Sequence, residues 1–372
     1  MRMRQLQIAW LVLTIVSAFS ASRCFGQPAP VRVAIVGLEH GHVTGFLNQF
    51  PKQTDAQLVG IVDADAALRD KYAQQFHLDP SLFYPTLDDL FAHQQPQALL
   101  VYTSIAQHRR IIEAAADHNI AVMVEKPLTL SLDDALAIRR AARSHHIQVL
   151  VNYETTWYPS NRALYDLLRH DSLGELRKAI IRDGHQGPKE IGVQPEFLQW
   201  LTDPAENGAG ALYDFGCYGA DLMTWFMHGE APVSVTAVSQ TDKPDTYPHV
   251  DDDATIILRY PRAQAVLLPS WNWPFSRKDA EVYGTKGYAI APNPTQIRER
   301  VADASPEVGL NIPQLPAPQD TSLHYLAAVV RGQLDPDHDL TSLDTNMVVM
   351  QILDAARQSA RTGKTVVLHP LP

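Results

Sequence analysis

One lysine lies at the carboxyl end of a predicted strand, where open α/β sheets bind their ligands. Lys126 belongs to the tripeptide Glu125-Lys126-Pro127, which directly follows the β-rich run Ala121–Val124. Ligands of open parallel sheets bind outside the carboxyl ends of the strands. The sequence therefore predicts ligand chemistry at Lys126, whereas a surface lysine in a turn is the alternative.

A second group of candidate residues follows a glycine-rich approach, in the segment Gly208 to Asp221. On a helix, Asp214, Tyr218 and Asp221 stand at i, i+4 and i+7, so all three project from one face. Such a face can direct a carboxylate and a phenol at one sugar. A phenol titrates near pH 10 and serves more readily as a hydrogen-bond donor or proton relay than as a free base. The alternative is that Asp214 caps the helix and Tyr218 is core.

The first predicted strand runs into an altered phosphate loop. A dinucleotide site usually has Gly-x-Gly-x-x-Gly there, but the chain reads Gly37-Leu-Glu39-His40-Gly41-His42, so Glu39 and His42 replace two glycines. Those glycines let the backbone approach the pyrophosphate. A carboxylate about 4 Å from a phosphate charge costs about 4 kcal/mol at an effective dielectric near 20, unless it turns away. A protonated His40 or His42 could offset this cost.

Asp63 is the residue that would distinguish the two dinucleotides. It ends the second predicted strand, 26 residues beyond Gly37. A carboxylate at this position holds the hydroxyl groups of an adenosine ribose. Asp63 therefore favours NAD over NADP.

The histidines near this loop raise a metal alternative. Glu39, His40, His42 and His108 carry nitrogen and oxygen ligands, and His-x-His projects two imidazoles from one edge of an extended segment. Because the chain has 15 histidines, chance clusters are common. A metal site therefore stays an alternative, and the leading interpretation assigns no residue to a metal.

An aromatic segment, Ser270–Lys278, lies in the second half of the chain. Trp271 and Trp273 stand two apart, as on one strand face, and Arg277 follows them. Tryptophan faces suit the C–H surfaces of sugar rings, but an aromatic face at a dimer interface is an equal alternative. The acidic run Asp251–Asp253 is typical of a solvated turn.

The residues from 31 to 151 alternate apolar runs with amphipathic stretches. Short β-rich runs of this kind are typical of strands buried on both faces. Helical segments are predicted between them, and five repeats of strand and helix favour a parallel, doubly wound Rossmann-like sheet. The predicted strands are Val31–Val36, Gln57–Val62, Ala98–Val101, Ala121–Val124 and Gln148–Val151; the helices are Ala66–Phe76, Ala106–His118 and Ser131–His145.

In residues 152–372 the helical segments are followed by short alternating runs. This pattern predicts an α+β domain with a mainly antiparallel open sheet. A Gly/Pro-rich stretch, Gly184–Gly210, leads to a helix through Met227. The other predicted elements are helices at Asn161–Arg169, Ser322–Arg331 and Leu343–Arg361 and strands at Val233–Ser239, Ala254–Tyr260, Ala265–Ser270 and Ala280–Tyr283.

The amino terminus is predicted to be a signal peptide, residues 1–26, which makes the protein periplasmic or extracellular. Arg2 and Arg4 precede an apolar run of about 14 residues, shorter than the roughly 20 that span a bilayer. Removing the peptide changes the net charge from -10 to -13, which argues against nucleic-acid and membrane partners. Cys217 would then be the remaining cysteine, which excludes an internal disulfide and a thiolate metal cluster.

Together these motifs resemble the Gfo/Idh/MocA family, that of glucose-fructose oxidoreductase and inositol dehydrogenase. Glu125-Lys126-Pro127 is similar to the catalytic signature of that family, and Thr103-Ser104 with His108 resembles a segment along its cofactor. The chain departs from the family in having Tyr218 for the usual histidine and Thr155-Thr156-Trp157 where an arginine is common.

The resemblance implies a role for each candidate residue. Lys126, Asp214 and Tyr218 are expected to be catalytic, and a homodimer or homotetramer is expected. The residues expected at the NAD site are Gly37, Glu39, His40, Gly41, His42, Asp63, Thr103, Ser104, His108 and Glu125; those expected at a carbohydrate substrate are Asp221, Trp271, Trp273 and Arg277.

The leading hypothesis is an exported NAD(P)-dependent sugar or polyol oxidoreductase that transfers a hydride at a ring hydroxyl carbon and keeps its cofactor. One alternative is a redox-neutral glycoside hydrolase or lyase that uses bound NAD on the same fold. Another is a nucleotide-free variant, with or without a metal. A non-catalytic sugar-binding protein is the third, and fold alone cannot name the substrate.

Overall fold

The first sheet consists of six strands that all run parallel. The computed structural model describes residues 29–372, and the predicted signal peptide lies outside these residues. The strand order is β3-β2-β1-β4-β5-β6, which is a doubly wound Rossmann arrangement. The strands are β1 (Val31–Val36), β2 (Ala56–Val62), β3 (Phe83–Tyr84), β4 (Ala98–Val101), β5 (Ala121–Glu125) and β6 (Val149–Asn152).

Helices cover both faces of this sheet. They are α1 (His42–Gln49), α2 (Ala66–Gln75), α3 (Leu87–His93), α4 (His108–Asp117) and α5 (Leu132–His145). The start of α5 follows from its sequence, because the Ser131 side chain accepts a hydrogen bond from the Asp134 N–H and two aspartates occupy the first turn. The predicted parallel sheet is confirmed, and its five predicted strands match within one residue at each end.

The second sheet has nine strands and is mostly antiparallel. Its order is β14-β13-β12-β11-β7-β10-β9-β8-β15, and only β7 and β10 run parallel among the described neighbours. The strands are β7 (Leu176–Gly184), β8 (Ser234–Gln240), β9 (Asp253–Arg259), β10 (Gln264–Ser270), β11 (Arg277–Gly284), β12 (Tyr288–Asn293), β13 (Gln296–Arg300), β14 (Val308–Asn311) and β15 (Val366–Val367).

The remaining helices lie in the second half of the chain, and α10 and α12 pack against each other and against the second sheet. None of the helices in residues 29–372 is long and apolar enough to cross a membrane. Their bounds are α6 (Pro159–Arg169), α7 (Pro195–Leu201), α8 (Pro204–Asn207), α9 (Ala211–Asp214), α10 (Gly216–Phe226), α11 (Ser322–Val330) and α12 (Leu343–Thr362).

Near its carboxyl terminus the chain packs against the first sheet again, through α11. Leu323, Tyr325 and Leu326 of α11 belong to the same buried cluster as Val33 and Ile35 of β1. The division expected after residue 151 stays a prediction: β6 ends at Asn152, whereas α11, from the second half of the chain, packs into the core of the first sheet. The two halves therefore share a core, which fixes the cleft between them.

Candidate functional site

A buried ion pair forms the centre of the site. Lys126 directly follows β5, and its Nζ donates to Asp214 Oδ1 at 2.5 Å and to the Asp214 carbonyl oxygen at 2.9 Å. Burial opposes ionisation of both groups, but their mutual attraction prevails: it raises the pKa of Lys126 and lowers the pKa of Asp214. The pair is therefore an ammonium and a carboxylate at the carboxyl end of the sheet.

Two groups from loops beside β9 and β10 hold Asp214 in place. The Trp271 indole N–H donates to Asp214 Oδ2 at 2.9 Å. The Asp251 carboxylate accepts from the N–H of Gly210 at 2.9 Å and of Leu212 at 2.7 Å, which anchors the first turn of α9. A Cβ at Gly210 would lie 1.7 Å from the Asp251 carbonyl oxygen, so only glycine allows this approach.

These contacts correct two expectations. Asp251–Asp253 is not a solvated turn: Asp252 is buried, and its carboxylate accepts from the N–H of Asp242 and of Lys243, each at 2.7 Å. Burial raises the pKa of Asp251 to about 6. Trp271 is fully buried and contacts Asp214, so the structure places it behind the carboxylate rather than against a substrate.

Tyr218 lies between two ammonium groups. The Nζ of Lys126 is 5.2 Å from the centroid of its ring, and the Nζ of Lys278 is 4.5 Å from it. Burial, with the nearby Glu154 carboxylate, raises the pKa of Tyr218 well above its usual value. The side chain is therefore a neutral phenol that can donate a hydrogen bond at any physiological pH.

A cavity of about 830 Å³ opens in front of these groups, between the two sheets. Lys126, Asp214, Tyr218 and Arg277 line it, and so does His42 from the first helix. Its size suits a sugar or a similarly small molecule. The structure therefore brings the three residues predicted to be catalytic to one cavity.

A second charged network lies in this cavity, and sequence reasoning found its Lys278 in the segment Ser270–Lys278 but missed the acidic partners. Lys278 forms an ion pair with Glu154, which also accepts from the Tyr158 hydroxyl. Asp183 is buried near Lys278, and burial raises its pKa to about 8. Asp183 and Lys278 come from neighbouring strands, β7 and β11, so no local spacing could have linked them to Glu154.

Asp221 lies elsewhere than expected. The helix breaks at Phe215, between α9 and α10. Asp214 and Asp221 are therefore not on one continuous helix, and their i, i+7 spacing does not place them on one face. Asp221 is fully buried, and neither carboxylate oxygen has a hydrogen-bond partner in the described part of the chain. Burial raises the pKa of Asp221 well above its usual value, which favours the neutral carboxyl at this core position. Its predicted contact with substrate is corrected accordingly.

The segment that carries the tryptophans is a loop rather than a strand. Strand β10 ends at Ser270, one residue before Trp271. The Arg277 guanidinium lies 4.6 Å from the Trp273 ring centroid and forms two hydrogen bonds to Asp279, at 2.6 and 2.9 Å. Arg277 lines the cavity, and Trp273 supports it from behind.

A separate cavity of about 810 Å³ lies at the carboxyl ends of β1, β2 and β4. Gly37, Asp63, Thr103 and Ser104 line it, as expected. Gly37 has a φ of +91°, and a Cβ there would lie 2.5 Å from Thr103 Cγ2, so the tight turn requires glycine. Asp63 accepts from the N–H of Leu38 at 2.8 Å, which holds its carboxylate at the end of β2.

Glu39 turns toward the start of α4. Its Oε1 accepts from the Ser104 N–H at 2.7 Å and from Gln107 Nε2 at 2.9 Å. Burial raises the pKa of Glu39, and the carboxylates of Asp63 and Glu206 act in the same direction. Ser104 also donates to Glu206 at 2.6 Å, so two acids share this wall of the cavity. The turn at Gly37 and the carboxylate of Asp63 fit a dinucleotide, whereas Glu39 and Glu206 weaken its phosphate site.

The histidines divide into two groups. His40 is buried against Phe197 and Trp200, with ring centroids 4.5 and 5.4 Å away, and burial lowers its pKa well below the usual value. His108 is buried apart from it, with Nδ1 3.1 Å from the Leu128 carbonyl oxygen; burial lowers its pKa to about 4.

Glu39, His40, His42 and His108 therefore do not form one metal site, because Glu39 and His108 have other partners. A different carboxylate takes their place. Glu125 Oε2 lies 3.0 Å from His42 Nδ1, and its Oε1 accepts from Asn152 Nδ2 at 2.9 Å. Glu125 thus contacts a histidine of the loop rather than the nucleotide cavity. With His40, the two residues form a group of three candidate metal ligands.

Comparison with protein-family models decides the family. One model, described as an oxidoreductase family with an NAD-binding Rossmann fold, matches residues 31–153. A second, the GFO/IDH/MocA C-terminal domain, matches residues 161–290, so the two cover about two thirds of the chain. The chain belongs to the GFO/IDH/MocA family of oxidoreductases. Its first domain is an NAD-binding Rossmann fold, and the resemblance seen in the sequence is confirmed.

Characterised relatives are dehydrogenases. The chain is 26% identical over 263 residues to trans-1,2-dihydrobenzene-1,2-diol dehydrogenase of Macaca fuscata fuscata, covering 70% of this chain and 74% of that enzyme. The human enzyme of the same name is 25% identical over the same length, with the same coverage.

Solved structures share the whole fold. Aldose-aldose oxidoreductase from Caulobacter crescentus, complexed with glycerol, has a TM-score of 0.77 at 23% identity, covering 91% of this chain and 100% of that one. An inositol dehydrogenase homologue from Azotobacter vinelandii, complexed with NAD+, also has a TM-score of 0.77, at 21% identity, covering 91% and 97%.

Proposed function

We propose that this oxidoreductase is exported and that it oxidises a hydroxyl-bearing carbon of a sugar or polyol, with NAD as the hydride acceptor held through both half-reactions. The observation that carries the proposal is the Lys126–Asp214 ion pair at the end of β5, beside the neutral phenol of Tyr218. A positioned ammonium, carboxylate and phenol are the groups that proton transfer to and from an alcohol requires.

The residues of the first cavity would hold NAD. Gly37 gives the close turn, the carboxylate of Asp63 accepts from the adenosine ribose, and Thr103 and Ser104 lie along the cavity wall. When bound, the nicotinamide supplies the hydride acceptor, and the protein supplies binding, orientation and electrostatics. Asp63 favours NAD over NADP, because its carboxylate would repel a ribose phosphate.

The ion pair would move the proton of the substrate hydroxyl. Two donor contacts of Lys126 go to Asp214, which leaves its remaining N–H for a substrate oxygen. Lys126 first passes one proton to Asp214, and the amine lone pair that this frees accepts the hydroxyl proton, so the buried pair gains one proton in total. Tyr218 donates to the same substrate oxygen and favours the alkoxide character that develops there.

The second network would orient the sugar. Lys278 with Glu154, and Arg277 with Asp279, present paired charges along the wall of the cavity. Because the charges in each pair offset one another, these donors and acceptors suit hydroxyl groups better than a charged substrate. The related enzymes act, by their names, on an aldose, inositol or a dihydrodiol, each of which carries neighbouring hydroxyl groups.

Export is supported by the sequence of residues 1–26, which lie outside the described residues. Because free NAD is scarce outside the cytoplasm, an exported enzyme would have to keep its cofactor and use a second substrate to restore it. We expect the mature protein to begin near Gln27.

A substrate screen tests the function. Purified mature protein is mixed with NAD and a panel of aldoses, polyols and glycosides, and the nicotinamide absorbance and the released sugars are both measured. Absorbance change without sugar release supports the oxidoreductase. Sugar release from glycosides without net absorbance change would instead favour the redox-neutral hydrolase or lyase.

A further inference from the structure

Two histidines and a buried carboxylate converge beside the substrate cavity. His40 lies in the loop after β1, His42 is the first residue of α1, and Glu125 is the last residue of β5. One ligand atom from each of the three lies within 4.8 Å of the other two. The neighbouring parallel strand β4 separates β1 from β5, so the group is assembled by the sheet rather than by local spacing.

We propose that His40, His42 and Glu125 bind one divalent transition-metal ion of the zinc type. Two imidazole nitrogens and one carboxylate oxygen form the ligand set that zinc, cobalt, iron and manganese share. The 3.0 Å between His42 Nδ1 and Glu125 Oε2 is short enough for both atoms to ligate one ion at about 2.0–2.2 Å. Binding displaces to solvent any proton that the two side chains share.

Two of the three ligands have supporting contacts. Glu125 Oε1 accepts from Asn152 Nδ2, and Asn152 Oδ1 accepts from the Trp157 indole N–H at 3.2 Å, so the carboxylate is held from behind. The His40 ring is packed between Phe197 and Trp200. Such surrounding contacts are what fix ligands at metal sites.

The site is open on one side. His42 is 45% exposed and lines the substrate cavity, whereas His40 and Glu125 are buried. Three protein ligands with an open fourth position are typical of a catalytic rather than a structural zinc site. At its fourth coordination position the metal would bind water or an oxygen atom of a hydroxyl-bearing substrate.

This inference is independent of the proposed hydride transfer, because the site uses none of Lys126, Asp214 and Tyr218. Its test therefore contains neither NAD nor sugar, and failure of one proposal leaves the other standing. A metal there would place a Lewis acid beside the substrate oxygen, an addition to the proton chemistry of Lys126.

Cobalt provides the test. Tag-free, EDTA-treated protein is titrated with Co2+, and the visible d–d absorption and the bound metal per chain are measured. We expect one Co2+ per chain, displaced by Zn2+ and not by Mg2+, which prefers oxygen ligands. H42A and E125Q should weaken Co2+ binding at least tenfold.

His93 provides the control, because it is exposed on α3 and its imidazole contacts the Asp89 carbonyl oxygen. H93Q should leave Co2+ binding unchanged. The exposed position of His42 and the equal size of glutamate and glutamine keep the two test variants folded, which circular dichroism verifies. Absence of d–d bands in the parent protein, or binding that survives both H42A and E125Q, would overturn the proposal.

Discussion

The indole N–H of Trp271 donates to Asp214 Oδ2 at 2.9 Å, while Lys126 holds the other oxygen of the same carboxylate. Asp214 is therefore fixed from both sides in a buried setting, where geometry decides how well a carboxylate can receive a proton. Trp271 acts through Asp214 and is a positioning residue.

Removing this donor should reduce both stability and activity. For W271F we expect a free energy of unfolding lower by about 1–3 kcal/mol, because the buried carboxylate loses one hydrogen bond. We expect kcat to fall about tenfold, equivalent to about 1.4 kcal/mol of barrier. Denaturant unfolding and steady-state kinetics measure the two effects.

Trp273 provides the matched control. Its indole N–H is buried without a hydrogen-bond partner among the described residues, so W273F removes the same atoms without breaking a bond. Equal losses of kcat in W271F and W273F would contradict the positioning role of Trp271.

The phenol of Tyr218 should matter for kcat and not for NAD binding. Y218F removes the donor that faces the substrate oxygen, and we expect kcat to fall about 10²-fold. Because burial raises the pKa of Tyr218, the pH profile of kcat should show no tyrosine titration below pH 10 in the parent protein. Isothermal titration calorimetry with NAD should give equal affinities for the parent protein and Y218F. A much weaker affinity in Y218F would count against the role of Tyr218 as a donor to the substrate.

Asp183 should make the protein less stable as the pH rises. Burial raises its folded-state pKa to about 8, with opposing contributions from Lys278 and Lys126 and further raising by Asp279 and Glu154. The unfolded chain therefore loses this proton first, from about pH 4, and stability falls up to about pH 8 and then levels off.

D183N cannot titrate, so its stability should lack this fall. Urea unfolding at pH 5 and pH 8 should show a difference several kcal/mol smaller than in the parent protein, at about 1.4 kcal/mol per pKa unit. D245N, at an exposed position, should keep the parent slope. A D183N slope equal to that of the parent would show that Asp183 is ionised in the fold.

Glu39 should limit the affinity for NAD. E39Q keeps an acceptor for the Ser104 N–H and Gln107 while removing a negative charge from the phosphate side of the cavity. We expect NAD to bind about tenfold more tightly at pH 8, equivalent to about 1.4 kcal/mol. Since burial raises the pKa of Glu39, the advantage should shrink as the pH falls and the parent protein takes up a proton there.

Fluorescence titration with NAD measures this difference, and E113Q on the exposed side of α4 is the control. If E39Q binds NAD no better than the parent at pH 8, the carboxylate lies away from the phosphates in the complex.

The parallel sheet could be predicted from the sequence because its strands are continuous apolar runs buried on both faces. Strand β7 was missed because its only apolar run, Ala179–Ile181, is three residues long and lies between the charged pairs Arg177-Lys178 and Arg182-Asp183.

The central residues of the site could be predicted, but their supports could not. Lys126 and Asp214 belong to local motifs, whereas Asp251 bonds backbone groups about 40 residues away, and a run of three aspartates is usually solvated. Lys278 and Glu154 meet across 124 residues. Local patterns carry no information on such pairs, which depend on how the sheets pack.

One measurement tests the Lys126 site most directly. Mature protein and K126M are each loaded with NAD, checked for bound nucleotide by native mass spectrometry, and mixed with an oxidisable sugar from the screen while the nicotinamide absorbance is followed in a single turnover. We predict that both proteins carry NAD and that K126M reduces it at least 10³-fold more slowly. Failure of the parent protein to bind NAD at all, or reduction at the parent rate in K126M, would contradict the account.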